Sequence, residues 1–397
     1  MSNTKKEFPM EKNTGRVKVL VLCLSDPASD PRPRRVIELC SSLGFDVSVM
    51  SYTSRETSLG VTRYNLRAPS PNLSSKIVRN LWGVASAFLP FERWRVFCEK
   101  KRFGLEGAKS LLEGMHFDLF IVEDIRVLPL AFELRQGGKI FFDAREYYPK
   151  QNEGELSFVL FDRRRRVQLC SQHMTRCDAV VTVSEGLRHE YFNEFGVAAE
   201  VYRSTPGYID LPVRTSDPGN IRMVCHGAAN RNRRIENLID VVSLLDDRFS
   251  LDLILVGNPR YQQELRRKAA GMKRINFVEP VVFEEIIPTI AKYDIGFFYY
   301  EPTGFNIAHC LPNKFFEYIQ ARVMIAIGPS PDMAEIVHEY QCGIVAEEFS
   351  VHSMAKALNA LTADDIDEYK RNSDKAAREL CFEKESGKLV SILKKLV

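Results

Sequence analysis

The sequence has 397 residues, of which 45% are hydrophobic and 27% charged, and its formal net charge at pH 7 is +3. This composition excludes a disordered or fibrous protein, and so small a net charge does not indicate nucleic acid as a partner. The length is sufficient for two or three domains, each with its own core.

The N-terminal residues 1–16 lack the apolar stretch of a signal peptide, and we interpret them as a tail. No later segment approaches the about 20 apolar residues of a membrane-spanning helix. The nine cysteines form no C-x-x-C pair and lack the Cys/His spacing of a zinc site, which favours reduced thiols. We therefore expect a cytoplasmic protein without a metal site.

Short apolar segments predict buried strands in two series, each alternating with amphipathic, helix-length segments. The first series comprises residues 17–24, 45–51, 117–124, 139–144, 178–184 and 199–204. The second comprises residues 221–227, 251–257, 275–280, 294–300, 323–329 and 342–347. Strands that alternate with helices form right-handed β-α-β crossovers and a parallel sheet covered on both faces.

The two series predict an α/β protein with two Rossmann-like, doubly wound domains, residues 17–205 and 221–363, that face each other across a cleft. Residues 206–220 contain proline and glycine between the two series and are the predicted linker. Residues 364–397 are charged and helical in pattern, and we expect them to brace the first domain.

Residues 72–105 interrupt the first series and interleave Leu, Trp, Phe and Val with Lys and Arg. Two interpretations are open. The segment is either a helical pair packed on the sheet of the first domain, or an amphipathic segment in a membrane interface, with its basic residues on anionic lipid.

Residues 301–345 predict a loop, a short helix, a buried strand and a second helix around one acid, Glu317. Pro312 and Asn313 are start signals for a helix near Lys314, which places Glu317 on the first turn. Backbone N–H groups at such a helix start attract phosphate oxygens, and a carboxylate there can accept hydrogen bonds from two ribose hydroxyls. Alternatively, Glu317 is only a favourable acid near a helix N-terminus.

Two other classes of nucleotide-binding protein are disfavoured. The first strand is followed by SDPASDPRPRR and not by G-x-G-x-x-G, and G-x-x-x-x-G-K-S/T does not occur. The sequence therefore argues against a nicotinamide cofactor and against a P-loop.

Four segments carry a resemblance to a known family: SDPASDPRPRRVIELCSSLGFDVSVMS, FFDAREYY, HGAANRNRRIENLID and LPNKFFEYI. With the two series of strands, they resemble the GT-B glycosyltransferases of family 4 (group 1) over nearly the whole chain. The resemblance implies a nucleoside-diphosphate sugar as donor, transfer with retention of configuration, and no cofactor or metal. It also implies that Glu317 binds the ribose hydroxyls.

Further donor-side residues follow from the resemblance. HGAANRNRR matches the family segment in which a glycine-containing loop precedes a basic residue that clamps the donor diphosphate. Gly227 and either Arg233 or Arg234 are the residues implied, and Lys314 is a further candidate for a phosphate contact. A guanidinium fixed there would stabilise the charge that develops on the leaving diphosphate.

One departure from the family lies eight residues before Glu317, where His309 replaces a second acid. His309 can replace that acid through a hydrogen bond to the donor sugar. Alternatively, Glu301 or the backbone of residues 304–306 contacts the sugar. Asn306 and Asn313 complete the predicted donor site.

A second departure lies at residues 143–146, which read D-A-R-E where the family often has D-x-H-E. Arg145 stays charged and cannot shuttle a proton, so it either binds an acidic sugar or acceptor phosphate, or pairs with Asp143 or Glu146. Asp30 and Arg32 match a D-x-R of the family and, with Glu146, are expected on the acceptor side. A helix-capping role for Asp30 is the alternative.

The sequence thus predicts a cytoplasmic hexosyltransferase acting on a glycan or lipid-linked acceptor in bacterial surface polysaccharide or lipopolysaccharide synthesis. The lipid-linked acceptor, and a position at the inner face of the cell membrane, follow if residues 72–105 lie in a membrane interface. The alternatives are a sugar-nucleotide epimerase of the same fold and a catalytically silent nucleotide-sugar-binding partner subunit.

Overall fold

The computed structural model describes residues 15–28, 30–52 and 60–397, so most of the predicted tail lies outside the described residues. The chain divides into two compact units. Up to residue 143 it belongs to the first unit, together with Gln172–Ala179 and Lys394–Val397. The second unit consists of Ala144–Ser171 and Val180–Leu393.

The first sheet has seven strands in the spatial order β3-β2-β1-β4-β5-β6-β7. In chain order the strands are β1 Lys18–Leu22, β2 Asp46–Tyr52, β3 Thr62–Leu66, β4 Leu119–Val122, β5 Lys139–Ala144, β6 Ala179–Thr182 and β7 Glu200–Val201. The pairs whose register is described are parallel. The side chains of Val19–Leu22 and Leu119–Val122 are fully buried, as expected for central strands covered on both faces.

The second sheet has six strands in the order β10-β9-β8-β11-β12-β13. They are β8 Ile221–Ala228, β9 Phe249–Val256, β10 Ile275–Val278, β11 Ile295–Phe298, β12 Met324–Ile327 and β13 Gly343–Val345. Successive residues of β8 alternate between two hydrophobic clusters: Met223 and Cys225 belong to one and Val224 to the other. This alternation places one core on each face of the parallel sheet.

Helices connect the strands. They are α1 Pro31–Ser42, α2 Leu73–Phe88, α3 Glu92–Phe103, α4 Ala108–Leu111, α5 Leu128–Leu134, α6 Leu156–Phe161, α7 Arg163–Gln172, α8 Glu185–Phe195, α9 Glu236–Leu244, α10 Pro259–Lys268, α11 Ile286–Ile290, α12 Phe305–Ala308, α13 Asn313–Gln320, α14 Pro331–Tyr340, α15 Val351–Asn359, α16 Ala363–Glu379 and α17 Phe382–Leu396. Among the residues described, no helix is both long enough and apolar enough to cross a membrane.

The predicted fold class, an α/β protein with two parallel, Rossmann-like sheets, is confirmed. Each predicted strand overlaps an observed one, but β3 was not predicted. Its sequence, TRYNL, is mostly polar, and only Leu66 is buried. A strand at the edge of a sheet needs little apolar surface, so the pattern used to find the other strands does not detect it.

The two units are defined by packing. The boundaries between them do not fall in the predicted linker, residues 206–220. Residues 144–171 and 180–205 fall in the second unit. Helix α16, the first helix of the C-terminal segment, also packs within the second unit. Its Ser373 hydroxyl donates to the Val323 carbonyl at 2.8 Å, and its Lys370 Nζ donates to Asp294 Oδ1 at 2.9 Å. Of the C-terminal segment expected to brace the first domain, Lys394–Val397 belongs to the first unit.

Two of the predicted acceptor-side residues have structural roles in the first unit. Asp30 is the N-cap of α1, and its carboxylate accepts from the backbone N–H of Arg32. The guanidinium of Arg32 makes a bidentate ion pair with Asp143 at the end of β5, with distances of 2.6 Å from Nε to Oδ2 and 2.8 Å from Nη2 to Oδ1. Both side chains are buried, so each carries a charge that needs the other.

We expect Arg32→Ala to lower the free energy of unfolding of the first unit by about 3–5 kcal/mol, because it leaves the buried Asp143 carboxylate without its partner. Both tryptophans, Trp82 and Trp94, lie in the first unit, so urea unfolding followed by tryptophan fluorescence reports on that unit. Arg34→Ala on the same helix is the control, because Arg34 is exposed and pairs with the exposed Glu38. Equal midpoints for the two variants would contradict the structural role of the Arg32–Asp143 pair.

Candidate functional site

The second sheet changes winding direction between β8 and β11. From β8 the chain proceeds to β9 and β10 on one side, whereas β11 is followed by β12 and β13 on the other. Ligands of such sheets bind outside the carboxyl ends of the strands at this switch point. The residues found there are Gly227 at the end of β8 and Tyr300 after β11.

Gly227 brings two positively charged side chains to one place. A Cβ atom on Gly227 would lie 3.3 Å from Lys314 Nζ and 3.6 Å from Arg233 Nη1. The φ of Gly227 is +112°, a conformation that glycine adopts readily and other residues rarely do. The backbone at this position can therefore approach a ligand that both cations contact.

Lys314 lies on the first turn of α13 and is buried, with 7% of its surface exposed. Its Nζ donates to the Tyr300 hydroxyl at 2.9 Å. Burial lowers the pKa of Lys314 to about 8, and the nearby Arg233 charge lowers the pKa further, while Glu317 opposes the shift. At neutral pH the ammonium is mostly charged but poorly solvated, and an anionic ligand would stabilise it.

Glu317 lies on α13 close to His226 of β8. Helix α13 begins at Asn313 after the N-cap Pro312, so Glu317 occupies the second turn; the predicted placement on the first turn was wrong. The reason is that Pro312 is itself the N-cap and the helix therefore starts one residue earlier than Lys314. Glu317 is 8% exposed and still lies on the helix face nearest the switch point.

His226 is neutral at physiological pH. Burial lowers its pKa to about 3, with the charges of Lys314 and Arg233 acting in the same direction. Its Nε2 is 3.2 Å from Glu317 Oε2, in a geometry that does not make a hydrogen bond. A buried neutral imidazole beside the carboxylate leaves the Glu317 charge uncompensated by His226.

The three arginines of the turn after β8 have different environments. Arg233 lines a cavity of about 480 Å³, donates to the Ala228 carbonyl at 3.3 Å and lies over the Tyr300 ring. Arg234 is half exposed and pairs with Glu301 at 2.8 Å. Arg231 pairs with Glu264, and both are exposed. Of the three, Arg233 is the one that borders the cavity and Gly227.

The cavity lies within the second unit and contains both residues at which the sequence departs from the family, Arg145 and His309. Glu146 also lines it. Asp143, one of the two predicted partners of Arg145, is paired with Arg32 in the first unit. Arg145 is partly exposed in the cavity wall.

Asn306 fixes one side of this cavity through a double hydrogen bond to the backbone of Tyr147. Its Oδ1 accepts from the Tyr147 N–H at 2.6 Å, and its Nδ2 donates to the Tyr147 carbonyl at 3.0 Å. The Phe305 and Tyr147 rings are also in contact, with centroids 5.1 Å apart. The amide of Asn306 thus holds α12 in position.

His309 is held at its ring and at its backbone. Its Nδ1 lies 2.6 Å from Asp332 Oδ2, and its carbonyl accepts from the Ser184 hydroxyl at 2.9 Å. Asp332 Oδ1 in turn accepts from the Gly186 N–H at 2.8 Å. Because an ionised carboxylate only accepts, Nδ1 is the donor, and the other ring nitrogen is left to meet a ligand.

Sequence reasoning identified most residues of this site but missed three. Gly227, Arg233 and Lys314 are brought together at the switch point, and Glu317 lies beside His226 on the same strand as Gly227. Asn313, the first residue of α13, is exposed. The missed residues are His226, Tyr300 and Asp332. His226 and Tyr300 end predicted strands, and their position at the carboxyl ends was the available signal; no local pattern marks Asp332. Among the described residues, no group of three His, Cys, Asp or Glu side chains could hold a metal ion.

The C-terminal part of the chain matches one protein family in sequence. Residues 220–364 match the sequence profile of the family described as Glycosyl transferases group 1. Comparison with curated protein sequences gave no significant match. The matched region contains the second sheet and the cationic residues described around Gly227, so this part of the chain is similar in sequence to group 1 glycosyltransferases.

Solved structures resemble the chain over nearly its full length. Sucrose-phosphate synthase from Thermosynechococcus elongatus has a TM-score of 0.70 at 12% identity, covering 96% of this chain and 99% of that one. Alr3699/HepE from Anabaena in complex with UDP has a TM-score of 0.65 at 12% identity, covering 96% and 100%. Trehalose 6-phosphate synthase from Burkholderia multivorans has a TM-score of 0.62 at 12% identity, covering 96% and 99%. At this identity the likeness shows the fold, which is GT-B.

We expect the affinity for a nucleoside diphosphate to fall above about pH 8, by up to about tenfold per pH unit, because Lys314 then loses its charge. Two neighbouring groups titrate above this range: the pKa of Cys310 is raised to about 11 and that of Tyr300 lies well above its usual value, both mainly through burial. Isothermal titration calorimetry with UDP between about pH 7 and 9.5 measures the effect.

Lys314→Arg is the control for this prediction, because arginine stays charged over the whole range and also corrects for titration of the ligand. The variant should show a flatter pH dependence than the wild-type protein. The same pH dependence in both proteins would rule out Lys314 as the titrating group.

Proposed function

We propose that the protein is a glycosyltransferase of the family 4 type that transfers a sugar from a nucleoside-diphosphate donor to the hydroxyl of a glycan or lipid-linked acceptor. The observation that carries the proposal is the convergence of Lys314 and Arg233 at Gly227, next to Glu317, at the switch point of the second sheet. A nucleoside diphosphate would fit this arrangement, with its diphosphate between the two cations and its ribose hydroxyls on the Glu317 carboxylate.

The nature of the donor is supported by the GT-B relatives. Alr3699/HepE from Anabaena has the same fold and was solved with UDP, with UDP and glucose, and with UDP-glucose. A nucleoside diphosphate is thus a ligand that this fold accommodates, and UDP is the first nucleotide to test.

The proposed reaction is retaining and needs no metal. The bond between the anomeric carbon and the diphosphate oxygen breaks, and the acceptor oxygen attacks from the same face. The leaving diphosphate takes the acceptor proton. Arg233 and Lys314 would stabilise the charge that develops on the diphosphate, which is the role a divalent metal has in other transferases.

His309 and Arg145 are the proposed contacts of the sugar or acceptor. His309, oriented by Asp332, would replace the acid that the family carries at this position and accept from, or donate to, a sugar hydroxyl. Arg145 lines the same cavity and suits an acidic sugar or an acceptor phosphate.

We further propose that the enzyme acts in the cytoplasm, in the synthesis of a bacterial surface polysaccharide or lipopolysaccharide. The support for this part is the resemblance to family 4 and the basic, aromatic segment at residues 72–105. In such a pathway, the acceptor is carried on a lipid at the inner face of the membrane.

The first test is calorimetric titration with UDP, GDP, ADP and CMP in magnesium-free buffer. We expect one of them to bind and Glu317→Ala to weaken that binding at least about tenfold, because two hydrogen bonds to a charged acceptor are lost. Glu264→Ala removes an exposed acid of the same domain and should leave the affinity unchanged. If no nucleotide binds, the donor site is refuted and a silent partner subunit becomes the better interpretation.

The second test compares two arginines of the same turn. Arg233→Ala should lower kcat for donor hydrolysis or sugar transfer by about 10²–10³, because it removes a fixed charge from the leaving group. Arg231→Ala removes an exposed arginine and should change kcat by less than about twofold. Equal losses would contradict the clamp.

Release of an altered donor without any acceptor would indicate an epimerase, and an NMR spectrum of the product gives its anomeric configuration.

A further inference from the structure

The helices α2 and α3 form a hairpin with an unusually apolar outer surface. Leu73, Ile77 and Leu81 lie at i, i+4 and i+8 on α2, and their side chains are 74%, 55% and 65% exposed. On and before α3, the aromatic residues Phe91 and Trp94 are 59% and 48% exposed. The two helices are joined on this side by ring contacts, with centroids 6.2 Å apart for Trp82 and Phe97 and 6.4 Å apart for Trp94 and Phe97. Scattered apolar side chains are common on protein surfaces, but so many on one helical hairpin mark an interaction surface.

The hairpin is firmly held, so this exposure is not a sign of poor packing. The two helices pack so closely that a Cβ atom on Gly83 would lie 2.8 Å from the guanidinium carbon of Arg102. Arg95 Nε donates to the Leu89 carbonyl at 2.6 Å, and the Tyr52 hydroxyl donates to the Phe103 carbonyl at 2.5 Å. The inner face is therefore filled, and the apolar stripe is on the outside.

The charge of the hairpin is strongly positive. Its basic residues are Lys76, Arg79, Arg93, Arg95, Lys100, Lys101 and Arg102. Its acids are Glu92, which lies 3.6 Å from Arg95 Nη1, and the buried Glu99. The charged side chains that are most exposed in the hairpin are Lys76, Arg93 and Lys101. An apolar and aromatic stripe edged by basic residues complements an anionic lipid surface.

Basic side chains of the hairpin lie close to its exposed aromatic rings, as expected for a segment in a membrane interface. The Arg93 guanidinium is 5.7 Å from the centre of the Phe91 ring and 5.6 Å from that of Trp94. Lys101 Nζ is 5.7 Å from the Phe97 ring centre and also pairs with Glu106, which follows α3. Each ring can enter the acyl boundary while its neighbouring cation stays at the level of the lipid phosphates.

We propose that the α2–α3 hairpin docks the protein on anionic lipid bilayers, with the stripe of Leu73, Ile77, Leu81, Phe91 and Trp94 inserted into the interface. The proposal combines the two interpretations of residues 72–105: the segment is a packed helical pair and also a membrane-binding surface. It rests on the hairpin alone and not on the donor site. Docking on the membrane would bring the protein close to the proposed lipid-linked acceptor.

The chain supplies its own reporter for this contact. It contains two tryptophans, Trp82 and Trp94, and both lie in the hairpin. If the hairpin enters the interface, adding phosphatidylglycerol-containing vesicles to the full-length protein should shift the tryptophan emission to shorter wavelength. Neutral phosphatidylcholine vesicles should bind much more weakly, and about 0.5 M salt should weaken binding to the anionic vesicles because it screens the charges.

Vesicle co-sedimentation of variants separates the apolar and charge contributions. Ile77→Ser/Leu81→Ser and Lys76→Glu/Arg93→Glu should each lower the partition coefficient by more than about tenfold, the second because each basic residue near the surface contributes about fivefold. Phe192→Ser/Phe283→Ser replaces two apolar residues, each 61% exposed, outside the hairpin and is the matched control. It should bind vesicles as the wild type does.

The outcomes distinguish this proposal from its alternatives and from the donor site. Failure of the wild-type protein to bind anionic vesicles, or an equal loss in the control variant, would overturn it. Self-association that Ile77→Ser/Leu81→Ser abolishes, without vesicle binding, would instead show that a second copy covers the stripe. UDP binding, measured on the same variants, should be unchanged, so a failed donor site and a failed membrane surface give different results.

Discussion

The constraint on which the candidate site depends is the convergence of two cations on one backbone position. Lys314 reaches Gly227 from α13 and Arg233 reaches it from the turn after β8, so two like charges lie close together in a largely buried place. Burial is the main cause of the lowered pKa of Lys314, and the charge of Arg233 lowers that pKa further, so the two cations repel each other. An anion between the two cations would lower their repulsion, which is the physical basis of the diphosphate site proposed above.

The positive charge of Lys314 affects the neighbouring His226 and Glu317 in opposite ways. Burial and the two cations hold His226 neutral, whereas Glu317 on α13 lies near Lys314, with which it interacts favourably. A protonated histidine at this position would compete with a ligand for the carboxylate. The neutral imidazole packs against Tyr318, with ring centres 5.3 Å apart, and adds no positive charge beside the carboxylate.

The sequence predicted the features that depend on local pattern and missed those that depend on contacts over long distances along the chain. Buried strands were found because parallel sheets make continuous apolar runs, while the polar edge strand β3 was not. Glu317 was named because it follows a helix start signal, whereas Arg233, with Arg234 as the alternative, was named from the resemblance of HGAANRNRR to a family segment. The pairs Arg32–Asp143 and His309–Asp332 join residues separated by 111 and 23 positions, and neither spacing has a local signature.

The two departures from the family pattern change the cavity in the same direction. At position 309 an imidazole replaces a carboxylate, and the negative charge is found on Asp332, behind the ring. At position 145 a guanidinium replaces an imidazole. Gly186 leaves room for the His309 ring, because a side chain there would collide with it. Both substitutions make the cavity wall more positive than the family pattern would, which favours a sugar or acceptor that carries a negative charge.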